Sequence, residues 1–209
     1  EYASAETGFN INVNHKKITL STNYNFGYNN NYQKNTFVRN FTTTNSVERF
    51  DENGFDKNKF ISHYANLSLK YNINDRNTIG IGGELFQFKN PHTSTSNLNI
   101  INNVLASENV NSIQKTINTA DVKSINPSAN FNFRSQLDST GSTLEFTYDY
   151  TYFNLYTLSH LNMAYLDSNA LEKNIPRLDF KQDNPYIVNL HTSKVNYNKT
   201  LKHEHSIEV

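Results

Sequence analysis

Apolar and polar side chains alternate at every second position along much of this chain. In the stretch LEFTYDYTYF, residues 144–153, the apolar positions are Leu144, Phe146, Tyr148, Tyr150 and Tyr152, and the positions between them are Glu145, Thr147, Asp149 and Thr151. Successive side chains of a β-strand point to opposite faces, so this stretch predicts a strand with one aromatic face and one polar face.

The same alternation returns in about eight runs, whereas helical periodicity is nearly absent. The runs begin near residues 9, 18, 61, 79, 125, 144, 186 and 205. Two runs contain an irregularity. Phe86 and Phe88 change phase relative to the start of their run, which predicts a β-bulge at residues 82–83. Pro127 has no N–H to donate, which predicts that regular pairing of its strand begins only after it.

Short and long connections alternate between these runs. Short turns are predicted near residues 15–17, 73–77, 136–142 and 199–204, and long polar loops are predicted near residues 33–59, 90–122 and 157–184. Loops above about 12–15 residues are uncommon in compact domains, but short turns at one end and long loops at the other are typical of outer-membrane barrels. Residues 18–32, extended over roughly 50 Å, would cross a bilayer and project above it.

These features predict an all-β fold, an antiparallel up-and-down transmembrane β-barrel. Residues 1–209 are expected to form part of a single outer-membrane β-barrel domain, and the chain is expected to be a fragment of it. On this interpretation the aromatic face of residues 144–153 meets lipid, and its polar face meets a hydrated lumen. Tyrosines near the loop ends of the strands suit a membrane–water interface.

The amino-acid composition argues against several other classes of protein. The 19 basic and 19 acidic residues cancel, so no field of charge favours nucleic acid. Cysteine is absent, which excludes disulfides, thiol catalysis and thiolate metal sites. The chain contains no run of about 18 apolar residues, so no transmembrane helix is predicted. Hydrophobic residues make up only 36% of the chain, but 13% of its residues are aromatic, which argues for ordered strands rather than disorder.

Four stretches resemble the outer-membrane β-barrel domain of TonB-dependent-receptor-like proteins. They are KKITLSTNYNFGYNNNYQ (16–33), LSLKYNINDRNTIGIGGELF (67–86), SANFNFRSQLDSTGSTLEFTYDYTYFN (128–154) and TSKVNYNKTLKHEHSIEV (192–209). The resemblance implies location in the bacterial outer membrane and import of an unknown small ligand. It also implies an upstream plug domain and a segment that contacts the TonB complex. Such barrels have about 22 strands, of which eight would be about a third.

Possible catalytic and metal sites have simpler structural interpretations. His203 and His205 lie two residues apart but lack a third ligand, so a polar turn is expected there. Asp51, Asn53 and Asp56 do not follow the order of an EF-hand, and an Asn-Gly turn at the tip of a loop is expected instead.

Glu145 and Asp149 share a strand face at roughly 13 Å, too far apart for glycoside hydrolysis. We therefore predict that the protein is not an enzyme and binds no cofactor or metal.

Ligand contact is expected from the loops, and charged or polar contact from the lumen wall. The residues predicted to bind ligand are Tyr32, Phe37 and Phe41 on the first long loop and Leu155, Tyr156 and Tyr165 on the third. The residues predicted to face the lumen are Asn25, Lys70, Arg134, Glu145 and Asp149, with Lys70 and Arg134 as counterions of the two carboxylates. Two alternatives stay open: a non-transport outer-membrane barrel (an adhesin, an assembly component or an anchor), and a soluble carbohydrate-binding β-sandwich.

Overall fold

The chain folds into one antiparallel sheet. The computed structural model describes residues 3–42, 47–101, 110–200 and 206–208. Its strands are β1 (Ala3–His15), β2 (Ile18–Thr42), β3 (Val47–Asn72), β4 (Asn77–Ile101), β5 (Ser112–Gln136), β6 (Thr143–Asp167), β7 (Leu178–Thr200) and β8 (Ser206–Glu208). Each strand pairs with the next along the chain, so the order in the sheet is the order in the sequence. The predicted all-β, antiparallel, up-and-down topology is confirmed.

The sheet is open. Among the described residues, β1 pairs only with β2, and β7 pairs with β6 and with three residues of β8. One edge of β1 and most of one edge of β7 therefore present unpaired backbone groups. The sheet that these residues form is not closed into a barrel.

The predicted long loops are wrong, because most of their residues are paired strands. β2 and β3 pair without interruption from Ile18 with Tyr71 to Thr42 with Val47. β4 pairs with β5 as far as Ile100 with Ser112. The Asn53–Gly54 turn predicted at a loop tip lies inside β3, where Gly54 pairs with Asn35. The polar residues of these segments concealed the strands, since neither face there repeats the strong apolar alternation.

The short turns near residues 15–17, 73–77 and 136–142 are confirmed, whereas most of the turn predicted at 199–204 lies outside the described residues. Local side-chain acceptors hold two of them. The Asn74 side-chain oxygen accepts from the amides of Arg76 and Asn77 at 2.9 and 2.8 Å. The Asp138 carboxylate accepts from the Thr140 hydroxyl and from the amides of Thr140 and Ser142, and these bonds hold its pKa well below the usual range.

No bulge occurs at residues 82–83, so that prediction is wrong. Gly82 pairs with Ser68 and Asn130, and Gly83 pairs with Leu67 and Ala129, in the same register as the rest of β4. The glycine at position 82 serves a different purpose. A Cβ there would lie 2.5 Å from the Asn130 side-chain oxygen, so the missing side chain leaves room for the Asn130 amide.

Pro127 does not delay pairing, because β5 already pairs with β4 from Ser112 onward. Pro127 interrupts only the pairing of β5 with β6, where residues 126 and 127 have no paired partner. The Asn126 side-chain oxygen accepts from the Asn154 amide there at 3.3 Å, which replaces part of the lost backbone pairing. A proline inside a strand is tolerated in this way when only one ladder is interrupted.

The described residues form a single layer without a second sheet or a helix packed on it. Ile101 and Leu166 are the buried hydrophobic side chains among them, whereas Phe9, Leu67 and Ile81 remain more than half exposed. No helix in these ranges has the length and apolar character needed to cross a membrane. The large apolar side chains of this protein therefore lie on the two faces of the sheet rather than in a core.

Candidate interaction surfaces

The strand register divides the side chains between two faces. Directly paired residues point to the same face, and neighbours along a strand point to opposite faces. We call the face that carries Leu20, Leu67 and Ile81 face 1, and the opposite face, which carries Asn23, Asn66 and Asn130, face 2. We call the half of the sheet next to the short turns the turn half, and the other half the far half.

Face 1 of the turn half carries an uncharged apolar band. The band consists of every second residue within 7–13 of β1, 18–26 of β2, 63–71 of β3, 79–87 of β4, 125–133 of β5, 146–154 of β6 and 187–195 of β7. None of these positions holds Asp, Glu, Lys or Arg. Seven strands thus present one continuous surface from which charge is excluded.

Aromatic side chains are common in this band, and its histidines bond to tyrosines. The Tyr24 hydroxyl and the His63 Nδ1 lie 2.8 Å apart, and the Tyr148 hydroxyl lies at the same distance from the His191 Nδ1. The rings of Phe131 and Phe146 pack across β5 and β6 with centroids 6.1 Å apart. The polar atoms of the band are therefore partly paired within it.

Lysines mark the far edge of the apolar band on face 1. Lys89 and Lys123 lie directly opposite each other on β4 and β5, two residues beyond the band. Lys59 of β3 lies on the same face, two residues further from the band than the level of Lys89. Its ammonium group lies 5.6 Å from the centre of the Tyr28 ring. The transition from charge-free to charged positions is therefore abrupt and occurs at a similar level on three neighbouring strands.

Face 2 of the turn half is polar. The five residues predicted to face a lumen, Asn25, Lys70, Arg134, Glu145 and Asp149, all lie on it. Arg134 and Glu145 pair directly, with Nε and Oε1 3.2 Å apart. The Asn66 side-chain amide donates to Glu84 at 3.1 Å. Amide and ion-pair chemistry of this kind suits contact with water or with a polar ligand.

Polarity changes in the far half, where face 2 becomes the more aromatic face. Phe60 stacks on Phe88, with ring centres 5.4 Å apart, and Phe88 also contacts Phe86 at 5.8 Å. Phe41 and Phe50 lie 4.9 Å apart near the end of the β2–β3 hairpin. On β3 the face 2 side chains of residues 54–60 are only partly exposed, whereas the face 1 side chains of residues 53–59 are exposed. The face 2 side chains of this part of β3 are therefore more closely packed than its face 1 side chains.

The residues predicted to bind ligand lie on strands and do not share one face. Tyr32 and Tyr156 are on face 1, where Tyr32 contacts the ring of Phe55 and the Tyr156 hydroxyl donates to Asp183 at 3.3 Å. Phe37, Phe41, Leu155 and Tyr165 are on face 2. The structure therefore divides the predicted ligand set between opposite surfaces.

Two shallow depressions lie on face 2 of the far half. One, of about 490 Å³, is lined by Asn31, Gln33, Asp56, Asn58 and His92, with Tyr32 at its rim. The other, of about 160 Å³, is lined by Phe37, Arg39, Phe50, Glu52 and Leu98. The first is polar and the second combines aromatic rings with one cation and one anion, so together they could contact a ligand of mixed polarity.

Sequence reasoning missed several face 2 aromatic residues, among them Phe50, Phe60 and Phe88. The signal was present in the phase change at Phe86 and Phe88, which was interpreted as a bulge. In the structure the register is continuous, and the phase change marks the level at which face 2 becomes apolar.

The structure brings no metal site together among its described residues. Asp51 lies on face 1 and bonds to Arg49 at 3.0 Å, whereas Asp56 lies on face 2 and accepts from Asn35 at 3.2 Å. His203 and His205 lie outside the described residues. No protein-family model matches this sequence, and no curated protein matches it.

Proposed function

We propose that this chain forms part of the wall of a bacterial outer-membrane β-barrel of the TonB-dependent-receptor-like type, which imports a small ligand. The observation that carries the proposal is the uncharged apolar band on face 1, opposed by a polar face 2. A single-layer sheet exposes such a band to its surroundings, and hydrocarbon is the surroundings in which large exposed apolar side chains are stable.

The height of the apolar band supports this assignment. From Ile18 to Phe26, the extent of the band on β2, the chain advances eight residue steps, or roughly 26 Å along the strand. At a strand tilt of about 40° this corresponds to about 20 Å, close to the height of about 25 Å of the apolar band in outer-membrane barrels. The 25 residues of β2 extend well beyond it, so the far half would project from the membrane.

The open edges of the sheet fit a fragment of a larger barrel. β1 and β7 offer unpaired backbone groups that further strands would satisfy, and exposed edges of this length are otherwise an aggregation hazard. Face 2 would then line the lumen, and its aromatic far half would contact the ligand through Phe37, Phe50 and their neighbours.

Cysteine labelling of residue pairs tests the membrane assignment. The full-length gene product, in a cysteine-free background, would carry Leu67→Cys or Ser68→Cys, adjacent positions on opposite faces. In the outer membrane, a lipid-soluble maleimide should modify the Leu67 variant and a charged maleimide should not. Ile117→Cys, on face 1 of the far half, should react with the charged reagent. Equal reaction of Leu67→Cys and Ile117→Cys with the charged maleimide would refute the proposal.

The same approach tests the transport assignment. A receptor of this type has a plug in its lumen, so Asn25→Cys and Ser68→Cys on face 2 should react slowly with a charged maleimide. Deleting the plug segment from the full-length gene should accelerate both reactions. Fast labelling of the intact protein, accompanied by open-channel conductance in planar bilayers, would favour a non-transport barrel instead.

A further inference from the structure

Lys89 and Lys123 form an unusual pair. They occupy directly opposed positions on β4 and β5 and point to the same face. Like charges placed directly opposite each other across an antiparallel ladder destabilise it. Lys123 is compensated by Asp121, whose Oδ2 lies 2.7 Å from its ammonium nitrogen, but within the described part of the chain Lys89 has no ion pair or hydrogen bond.

The surroundings of this pair combine cationic and apolar groups. A depression of about 350 Å³ on face 1 is lined by both lysines together with Gln87, Ile125, Asn154 and Tyr156. Lys59 lies beside it on β3, and Lys57 and Lys181 lie one pair further from the band. The acidic groups on this side of the sheet are Asp121, which pairs with Lys123, Asp183, which accepts from Tyr156, Asp179, which lies next to Lys181 and bonds to His160, and Asp51, which lies further out and pairs with Arg49. Lysines therefore exceed carboxylates at the band edge.

The position of the pair limits what its ligand can be. Lys89, Lys123 and Lys59 each lie about 13 residues from the short-turn end of their strands. At about 3.3 Å per residue and a tilt of about 40°, this places them roughly 33 Å from that end, just beyond an apolar band about 25 Å high. A ligand at this level would meet hydrocarbon on one side and water on the other.

We infer that Lys89 and Lys123, with Lys59 beside them, bind the phosphate of an anionic membrane lipid whose acyl chains lie along the apolar band. Lysine acts as a flexible point charge toward phosphate, and one phosphate between the two ammonium groups would turn their repulsion into attraction. Ile125 and the aromatic rings of the band supply the apolar contact for the chains. The inference rests on the proposed function, because it requires face 1 to face lipid.

The test uses the full-length protein in a neutral detergent, with bound lipids counted by native mass spectrometry. Phosphatidylglycerol is titrated against phosphatidylcholine with the same acyl chains. A lysine near an anionic lipid surface contributes a factor of about five, so Lys89→Gln with Lys123→Gln should weaken phosphatidylglycerol binding about 25-fold. Phosphatidylcholine binding should change little.

The matched control is Lys34→Gln with Lys115→Gln, which removes the same charge from face 1 of the far half. It should leave phosphatidylglycerol binding within about two-fold of the unaltered protein. Equal loss in both double variants would overturn the inference in favour of a general charge effect. Displacement of the lipid by a moderate excess of inorganic phosphate would overturn it in favour of a free-anion site.

The two proposals fail in different ways. If Leu67→Cys is labelled from water, the membrane assignment fails and the lipid site fails with it. If Leu67→Cys is labelled only from lipid, but the Lys89/Lys123 double variant retains phosphatidylglycerol, the lipid site alone is refuted. Heat-modifiable migration on gels establishes that each variant is folded.

Discussion

The turn half and the far half of the sheet are built from the same strands but distribute their charged and aromatic side chains differently between the two faces. In the turn half, Leu67 and Ile81 lie on face 1 opposite asparagines and serines. In the far half, Phe50 and Phe60 lie on face 2, and face 1 carries lysines and threonines beside Phe55 and Ile117. Backbone pairing is similar in both halves, so the difference lies in the side chains: lysines enter face 1 and aromatic rings gather on face 2 at the level of Lys89 and Lys123.

Under the proposed function, face 1 would have two environments, hydrocarbon beside the turn half and water beside the far half. Face 2 would line the lumen along its whole length, with a polar wall near the turns and an aromatic wall beyond them. Substitutions on three of these four surfaces, and one in a turn, would distinguish them. The expected effects decrease from the first to the last, because a charge in hydrocarbon costs more than a lost ring contact, an exposed ion pair or a turn.

The largest effect is expected for a charge placed in the apolar band. Leu67→Arg should lower the free energy of unfolding, measured in lipid vesicles, by about 2–4 kcal/mol, the cost of arginine on the lipid face near the bilayer midplane. Ile117→Arg is the matched control, because Leu67 is 53% exposed and Ile117 is 49% exposed, both on face 1.

If face 1 met water throughout, these two substitutions would have equal effects. Exposed surface substitutions usually change stability by less than about 0.5 kcal/mol, and this is the value expected for Ile117→Arg. A Leu67→Arg protein as stable as Ile117→Arg would remove the distinction between the two halves of face 1.

A smaller loss is expected when the aromatic cluster on face 2 is reduced. Phe88→Ala removes the ring that contacts both Phe60 and Phe86. Burying a phenylalanine completely contributes about 3–5 kcal/mol, and Phe88 is only partly buried, so a loss of about 2 kcal/mol is expected in denaturant unfolding. Ile117→Ala, on the opposite face, should cost much less. Equal losses would contradict the assignment of the packed face.

A weak effect is expected for the ion pair on the polar wall. Arg134 and Glu145 are 65% and 39% exposed, so water screens their attraction. A double-mutant cycle with Arg134→Ala and Glu145→Ala should give a coupling energy below about 1 kcal/mol that decreases with added salt. A coupling of several kcal/mol would mean that this part of face 2 is shielded from water in the intact protein.

The sequence alone predicted the turn half well, because each of its strands repeats an apolar side chain at every second position and ends in a recognisable turn. It also placed Asn25, Lys70, Arg134, Glu145 and Asp149 on one face, since the phase of each run was clear. The prediction of the far half failed for a physical reason. Asn, Ser and Thr occupy both faces there, so the alternation of apolar and polar residues disappears although backbone pairing across the hairpin continues.

The candidate ligand residues were predictable only in part. Phe37, Phe41 and Tyr165, which the sequence predicts on long loops, lie on strands and share face 2 with Phe50. Tyr32 and Tyr156 were assigned to loops, and without strands no face could be given to them. Register over long hairpins depends on contacts between residues far apart in sequence, which no single segment specifies.

The smallest effect is expected at the Asp138 turn, which joins β5 to β6 on the side opposite the far half. Hydrogen bonds from Thr140 and Ser142 lower the pKa of this carboxyl in the folded state. Since an unfolded aspartate titrates near pH ~3.9, the turn should be fully stabilised above that pH and should lose the contribution as the pH falls toward the lower, folded pKa. Amide exchange at Thr140 and Ser142, followed by mass spectrometry, measures this, and Asp138→Ala should accelerate exchange there at pH 7 with no change at Asn74. Exchange in the unaltered protein that is already fast at pH 7 would contradict this account of the turn.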